Sequence, residues 1–551
     1  MMMSAHRLFR ISTVACIVLA ALLCYPVIHV HAQPTPTHTT LTVTTLTDED
    51  DGDALAANGA GTSLREAVLY SVAGDEVVFD AALSGTILLV LGELLPTHDL
   101  FITGPGSSVI DVNALGETRI LNIPDSVQIE MSGLTLSAGR ALNGGAIASR
   151  NWLRIVECAL RTSTAVRHGG AIWHQGTHLA LERSTVDFCT AYLNGGALFV
   201  EGGALYLEDS ECSYNLANDE GGGLYLTGGV NATLLRSTIA SNEARLGGGC
   251  FNDATFSATQ STVSSNTATM SGGGIYNDLL GVGTLKFCTL AFHTAVSGGG
   301  IVNYNMFTLK RSLLADNTGG SNPDAVGLYS SAGYNLIQDA GTSSGWTGTD
   351  LTGTASDLVN AALDGLYLNS GYTRTHALLV CSEAIDAADS TGTGTMTDQR
   401  SRPRNVNGDS DLLAKPDIGA FEVQTALDMH PPLVQVTPGL LIVLDSLTGE
   451  FVLDPDILMP IVLDDCAIIT KTVDPDTVTC SDIGFTTISL HVEDQSHNTW
   501  DSTLTIQVDD YTSPTIIPQA AVTLNLPADS CVLTLTTTLL GVPTTSDNCQ
   551  V

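Results

Sequence analysis

Residues 261–277 read Ser261-Thr262-Val263-Ser264-Ser265-Asn266-Thr267-Ala268-Thr269-Met270-Ser271-Gly272-Gly273-Gly274-Ile275-Tyr276-Asn277. A short β-prone run ends at an Asn, and a glycine cluster separates it from the next run. The pattern recurs outward in both directions. Glycine clusters begin at Gly144, Gly169, Gly195, Gly221, Gly247, Gly272 and Gly298, in steps of 25 or 26 residues. Three residues after each of these stands Ile147, Ile172, Leu198, Leu224, Cys250, Ile275 or Ile301, always apolar.

A second register is marked by Ser184, Ser210, Ser237, Ser261, Cys288 and Ser312. Apolar residues precede it by three (Leu181, Leu207, Leu234, Ala258, Leu285, Leu309) and follow it by two (Val186, Cys212, Ile239, Val263, Leu290, Leu314). Alternate residues of a strand share a face, so positions five apart can both point inward only if a bend lies between them. Five after the marker come Cys189, Asn215, Asn242, Asn266, His293 and Asn317. Short strands with corners at this period predict a parallel β-helix of about three strands per coil, coils about 4.8 Å apart. Gly222, Gly248 and Gly273 are the expected corner glycines with positive φ. Asn215, Asn242, Asn266 and Asn317 are the expected amide ladder, with His293 as a hydrogen-bonding substitute. A leucine-rich repeat would add a helical segment, and a propeller blade would be longer.

Composition fits this reading. The chain has 551 residues, 54 of them Gly, and only 5% aromatics. Its net charge of −37 argues against nucleic acid as the partner. Arg7 and Arg10, the apolar run Ile11–Cys24 and Val30-His31-Ala32 read as a secretory signal peptide over residues 1–32. No later stretch is long enough to span a membrane as a helix. Ten cysteines beyond the signal are too few for a disulfide scaffold at this length.

With these blocks in view, the repeats resemble the right-handed β-helix repeats of bacterial surface proteins and polymorphic outer-membrane proteins. Thr62-Ser63-Leu64-Arg65-Glu66-Ala67 resembles the CSLREA motif, with Thr62 in place of its Cys. Asp398-Gln399-Arg400 and Asp417-Ile418-Gly419-Ala420-Phe421-Glu422 resemble the end of a choice-of-anchor Q domain. Beyond Pro431-Pro432, residues 424–551 hold 17 Asp or Glu against one Lys. Alternating strands such as Thr486–Val492 and Thr503–Val508 there suggest an Ig-like sandwich, similar to HYR modules. The expected organisation is a cap over 33–75, the β-helix over 76–318, irregular coils and a closing cap over 319–423, an Ig-like domain over 424–511 and a second, truncated one over 512–551. The whole reads as an all-β chain. The resemblance implies a cell-surface or extracellular location and defines no ligand; the long, stiff, ladder-patterned face of a coil stack suits an adhesin-like, monomeric rod that binds a carbohydrate polymer or a surface protein, with the Ig-like units as spacers.

The alternative function is a carbohydrate-active β-helix enzyme, a lyase or a glycoside hydrolase. One residue before the marker run Arg183, Asp209, Arg236, Gln260, Phe287 and Arg311. This outer register is either a surface ion-pair ladder or a lyase-like site. Asp187, Glu211, Asp219 and Glu220 fall in unlike registers, so no convergence of carboxylates is expected, and no catalytic residue is assigned. Calcium is the cofactor candidate, at residues 48–53 or at Asn407, Asp409 and Asp411, where oxygen ligands alternate around a Gly; a solvated acidic turn is the competing reading. Cys466 with Cys480 is the expected disulfide, and Cys531 with Cys549 a weaker pairing.

Overall fold

The computed structural model describes residues 39–549 except 56–57, 321, 380–381, 393–395, 408–413, 425–430, 465–467, 495–498, 518–519, 527, 530–531, 537 and 539–540. The proposed signal peptide therefore lies outside the described residues. From Thr40 onward the chain forms one unit.

Each central coil holds four short strands rather than three, as in Ile147–Ser149, Trp152–Val156, Ala159–Arg161 and Thr164–Ala165. Equivalent strands of successive coils pair in parallel and build four sheets, of 9, 12, 12 and 6 strands in the order the coil visits them. The register is the same coil after coil: Leu207 pairs with Leu234, Leu234 with Ala258, Ala258 with Leu285 and Leu285 with Leu309. All five side chains are buried in one continuous aliphatic core.

The bends that the five-residue spacing demanded are single residues in the left-handed region. Between the second and third sheets stand Arg183, Asp209, Arg236, Gln260, Phe287 and Arg311, with φ from 45° to 52°. Between the third and fourth stand Phe188, Tyr214, Ser241, Ser265, Phe292 and Asp316, with φ from 54° to 60°. A non-glycine residue there costs roughly 1–2 kcal/mol, and the following residue offsets it. After the first corner, Ser210 Oγ accepts from the Ser184 N–H (3.0 Å) and donates to the Glu208 carbonyl (2.8 Å). After the second, Asn242 Oδ1 accepts from the Asn215 N–H (3.0 Å), and Asn215 Nδ2 donates to the Val186 carbonyl (2.9 Å). His293 takes the same step: Nδ1 accepts from the Asn266 N–H (3.0 Å), and its own N–H donates to Asn317 Oδ1 (2.9 Å). Burial lowers its pKa to about 3, so the ring is neutral.

The glycine clusters work differently from the sequence expectation. The residue with positive φ is the first of each cluster, Gly221 (67°) or Gly247 (62°), and not Gly222, Gly248 or Gly273. Those three are small because the next coil passes against them. A Cβ on Gly222 would meet the Gly248 carbonyl oxygen at 2.3 Å, one on Gly248 the Thr267 oxygen at 2.4 Å, and one on Gly273 the Gly299 oxygen at 2.6 Å.

The stack begins before residue 76, since Thr40–Val43 pairs in parallel with Glu76–Phe79. A capped helix, Leu64–Leu69, follows, with Ser63 and Glu66 satisfying each other's backbone N–H groups. At the far end Ala325–Val326, Ser330–Ser331, Leu336–Ile337 and Leu351–Thr352 extend the sheets. Residues 361–423 then depart from the expected closing cap: they turn back and lie along the outer side of the third sheet. Farther on, Leu441–Val443, Thr499–Asp509, Gly484–Asp494 and Ile468–Asp474 form a four-stranded sheet over a separate core that includes Ile442, Val473, Ile488, Leu490, Ile506 and Val508. Cys480 is bonded to Cys549, so neither expected cysteine pairing forms; Cys466 itself lies outside the described residues.

Gly222→Ala should therefore disrupt the stack, while Gly229→Ala should not. Gly229 has positive φ (79°) but open space around its Cβ position. Thermal melts should show the Gly229 variant losing about 1–2 kcal/mol and the Gly222 variant losing more, about 3 kcal/mol by overpacking against backbone that has no room to move. Equal losses would contradict the assigned close approach.

Candidate functional site

The third sheet exposes two rows of side chains to the outside, flanking the inward residue of each three-residue strand. The row nearer the fourth sheet runs Asn113, Ser137, Arg161, Asp187, Ser213, then Ala240, Ser264, Ala291, Ala315. It is polar at one end and small at the other. The small end is where residues 361–423 pack. Thr238 Oγ1 donates to the Arg374 carbonyl (2.7 Å), Thr262 Oγ1 donates to Gln399 Oε1 (2.7 Å), and Thr289 Oγ1 accepts from the Ala420 N–H (2.9 Å). Leu313, Ala315 and Leu336 share an apolar cluster with Ala361, Leu378, Ile418 and Phe421.

This lateral cover is pinned by the motif residues near its end. Arg404 is buried, with Glu422 at 3.2 Å and its guanidinium 4.1 Å over the Phe287 ring. Arg400 pairs with Asp398 at 2.7 Å and lies 3.5 Å over Phe421. Arg311 Nε donates to Asp389 at 2.7 Å.

Where the cover stops, the sheet lies open. Its leading edge carries Tyr372, exposed, and Arg374, which pairs with Glu211. Beyond that edge Asp187 and Glu211 point to the same side of the same sheet in neighbouring coils, diagonally related because Thr185 is opposite Glu211 and Asp187 opposite Ser213. This differs from the expectation that the carboxylates do not converge: counted from the marker, offsets of one and three both face outward because two faces inward, so unlike registers share a face. Arg161 Nε lies 3.3 Å from Asp187 Oδ1, and that shielded oxygen has no hydrogen-bond donor. Burial pushes the Asp187 carboxyl up to about 6; Arg161 opposes the shift and Glu211 adds to it.

Two rims bound this floor. One is the corner with Glu157, Arg183, Asp209 and Arg236. Arg183 pairs with Glu157 (2.8 Å), and Arg236 pairs with Asp209 (2.7 Å) and Glu208 (2.5 Å), a ladder of ion pairs. The other rim is aromatic: the Phe188 and Tyr214 rings stack at 5.1 Å and 5°, and Arg374 lies 5.5 Å over Tyr214.

Other clusters have structural roles. On the first sheet Phe199, Tyr225, Phe251 and Tyr276 stack at 5.0–5.3 Å and within 11° of parallel. Their faces cover one another, leaving only edges for a ligand. Residues 48–53 serve the N-terminal coils: Asp48 accepts from the Val90 and Leu91 N–H groups (2.7 and 2.8 Å) and from Arg65 Nε (2.7 Å), and Asp50 accepts from Tyr70 OH (2.7 Å). Asp409 and Asp411 lie outside the described residues, and Asn407 is half-buried. Among the described residues no group of three or more His, Cys, Asp or Glu is placed to hold a metal ion. Cys158, Cys189, Cys212, Cys250 and Cys288 are buried thiols. His174 faces the core and is held neutral by burial, its pKa lowered to about 4. A hollow of about 490 Å³ on the four-stranded sheet contains His491 paired with Asp501 at 2.7 Å, but both side chains are solvated, so no desolvated catalytic group is assembled there.

The Asp187 geometry gives a signed pH effect. Between about pH 4, where an unfolded Asp loses its proton, and about pH 6 the folded chain retains a proton that the unfolded chain has released. Stability from this group therefore falls as pH rises through that window and stays lower above it. Asp187→Asn should melt higher than the parent at about pH 8 and match it below about pH 4; no gain at the higher pH would mean the carboxyl is not desolvated.

No family model matches the sequence, and no curated protein matches it. Among solved structures the chain is similar to the PL6 family alginate lyase AlyGC, at 12% sequence identity and a TM-score of 0.27, over 74% of this chain and 61% of the lyase. The chain thus spans about 61% of that protein's length.

Proposed function

We propose that the chain is an exported bacterial surface protein that holds a polymer along the open part of its third sheet, in the manner of an adhesin. The observation that carries this reading is the change in the outer row. It is small under the cover (Ala240, Ser264, Ala291, Ala315), and it becomes Asn113, Ser137, Arg161 and Asp187 where the sheet is bare, between a charged rim and an aromatic one. A repeating floor of polar side chains at a fixed spacing suits a repeating ligand, because successive coils offer the same kind of contact to successive units. In this reading the solenoid winds right-handed, residues 1–32 are the export signal, the motifs at Thr62–Ala67 and Asp398–Glu422 are those of CSLREA-like and choice-of-anchor Q-like segments, and residues 424–551 are HYR-type Ig-like spacers. Calcium at Asn407, Asp409 and Asp411 is a further part of the proposal.

Native gels cast with dextran, galactomannan, xyloglucan or polygalacturonate test the binding reading. The full chain should migrate more slowly in at least one of them than in a plain gel. Unchanged migration in all four would overturn it.

A second reading, a polysaccharide-cleaving enzyme, is favoured by one observation: Asp187 and Glu211 lie on the same outer face at the edge of the cover, one carboxyl pushed up to about 6 and the other held in an ion pair with Arg374. Two carboxyls in unlike environments are the elements of acid–base hydrolysis. Release of reducing ends from the polymer that retards the protein, lost in Asp187→Asn, would decide for the enzyme; retention without release decides for the adhesin.

A further inference from the structure

We infer that the corner at Phe188 is a saccharide subsite that seats one uncharged pyranose ring, an inference that rests on the reading of the third sheet as a polymer-binding face. From coil to coil this corner carries Ala138, Thr162, Phe188 and Tyr214, all left-handed, with φ of 51°, 50°, 54° and 57°. Equal backbone angles project these side chains in one direction at successive rungs, about 4.8 Å apart. Phe188 and Tyr214 fill their rungs and stack on each other, and the far side of Tyr214 lies under Arg374. The opposite face of Phe188 looks toward Thr162 and Ala138, whose side chains are too short to occupy the next rungs. Phe188 is accordingly 57% exposed. The ring ladder ends on an uncovered face with an empty place beside it.

The groups around that place define its occupant. Each corner residue is preceded by an outward residue of the third sheet, so Asp187 adjoins Phe188 and Arg161 adjoins Thr162. Asp187 supplies a carboxylate side chain that is 13% exposed and ion-paired with Arg161, and Arg161 supplies a guanidinium whose side chain is 52% exposed. The subsite thus combines an apolar face with an acceptor and a donor at its edge. A pyranose has the matching parts, a face of C–H bonds and a rim of hydroxyls that both donate and accept. An apolar aromatic ligand would cover Phe188 and bring no acceptor to the exposed Arg161 side chain. A uronate would bring its charge beside Asp187 in a chain whose net charge is −37.

The polymer gels extend to variants of the full chain. Wild type should be retarded by a neutral polymer, and Phe188→Ala should weaken the apparent affinity by about tenfold or more. Thr162→Trp fills the empty rung without touching Phe188 and should weaken it equally, which keeps the test intact if the alanine variant folds poorly. Asp187→Asn should weaken binding as well. Tyr304→Ala, which removes an exposed ring elsewhere on the solenoid, should run as wild type. Wild-type retardation in both Phe188→Ala and Thr162→Trp overturns the subsite and leaves polymer binding standing. Retardation by polygalacturonate alone overturns the uncharged-ring assignment. No retardation of wild type in any gel overturns the subsite together with the reading beneath it.

Discussion

The structure depends on one constraint: the backbone of each coil must repeat that of the coil before it closely enough for the N–H and carbonyl groups that point along the stack to find partners in the neighbouring coil, where the paired strand residues of the central coils are 24 to 27 positions away. Two devices impose this. At most corners a left-handed residue is followed by a Ser or Asn, and once by His293, whose side chain bonds backbone of neighbouring coils, so a misplaced coil leaves a buried polar group unmet. At the glycine clusters the coils approach so closely that Gly222 has backbone oxygen at 2.3 Å from where a Cβ would be. The corners resist slippage by hydrogen bonding and the glycines by steric contact. The aliphatic ladders then follow, because a fixed backbone puts like side chains above one another.

Once the interior is fixed, the exterior is free to vary, and function is written there. Non-glycine corners matter for this reason. A glycine in place of Asp209, Arg236, Phe188 or Tyr214 would satisfy the backbone at lower cost and present nothing. The left-handed cost at these positions is accepted for side chains that make an ion-pair ladder on one rim and a ring stack on the other. The same logic explains the cover. Its contacts fall on hydroxyls that repeat with the coil, Thr238, Thr262 and Thr289, so an irregular chain is held by a regular surface.

What could be read in the sequence divides along these lines. The period, the inward ladders, the bend between positions five apart and the Asn register are local and repeated, so each copy reinforces the others. The role of Gly222 was misread because a positive φ and a close approach both select glycine, and composition alone does not separate them. The pairing of Asp187 with Glu211 needed the inward–outward alternation of a three-residue strand, a signal present in the sequence but masked by counting from the marker. The cover could not be placed. Arg374 reaches Glu211 across 163 residues, and Gln399 reaches Thr262 across 137, with no periodicity to announce either contact. Only the loss of polarity along the row from Ser213 to Ala240, Ser264 and Ala291 hints that something lies there. The disulfide is illegible for a similar reason: Cys480 and Cys549 are 69 residues apart, with no periodicity linking them.

The position of the cover's edge determines the character of the site. Arg374 does three things at one place: its carbonyl accepts from Thr238, its guanidinium pairs with Glu211, and its plane closes the outer face of Tyr214. With Glu211 neutralised there, Asp187 is left as the carboxyl of the open floor whose charge is least compensated, since Arg161 reaches it at 3.3 Å without a hydrogen bond. With Arg374 over Tyr214, Phe188 is the more exposed ring of the pair. A cover one coil shorter would expose the Glu211 charge and both faces of the ring stack. One coil longer would bury Asp187 and Phe188 outright. The coil at which the cover ends is therefore what leaves the exposed Phe188 ring beside the Arg161–Asp187 pair.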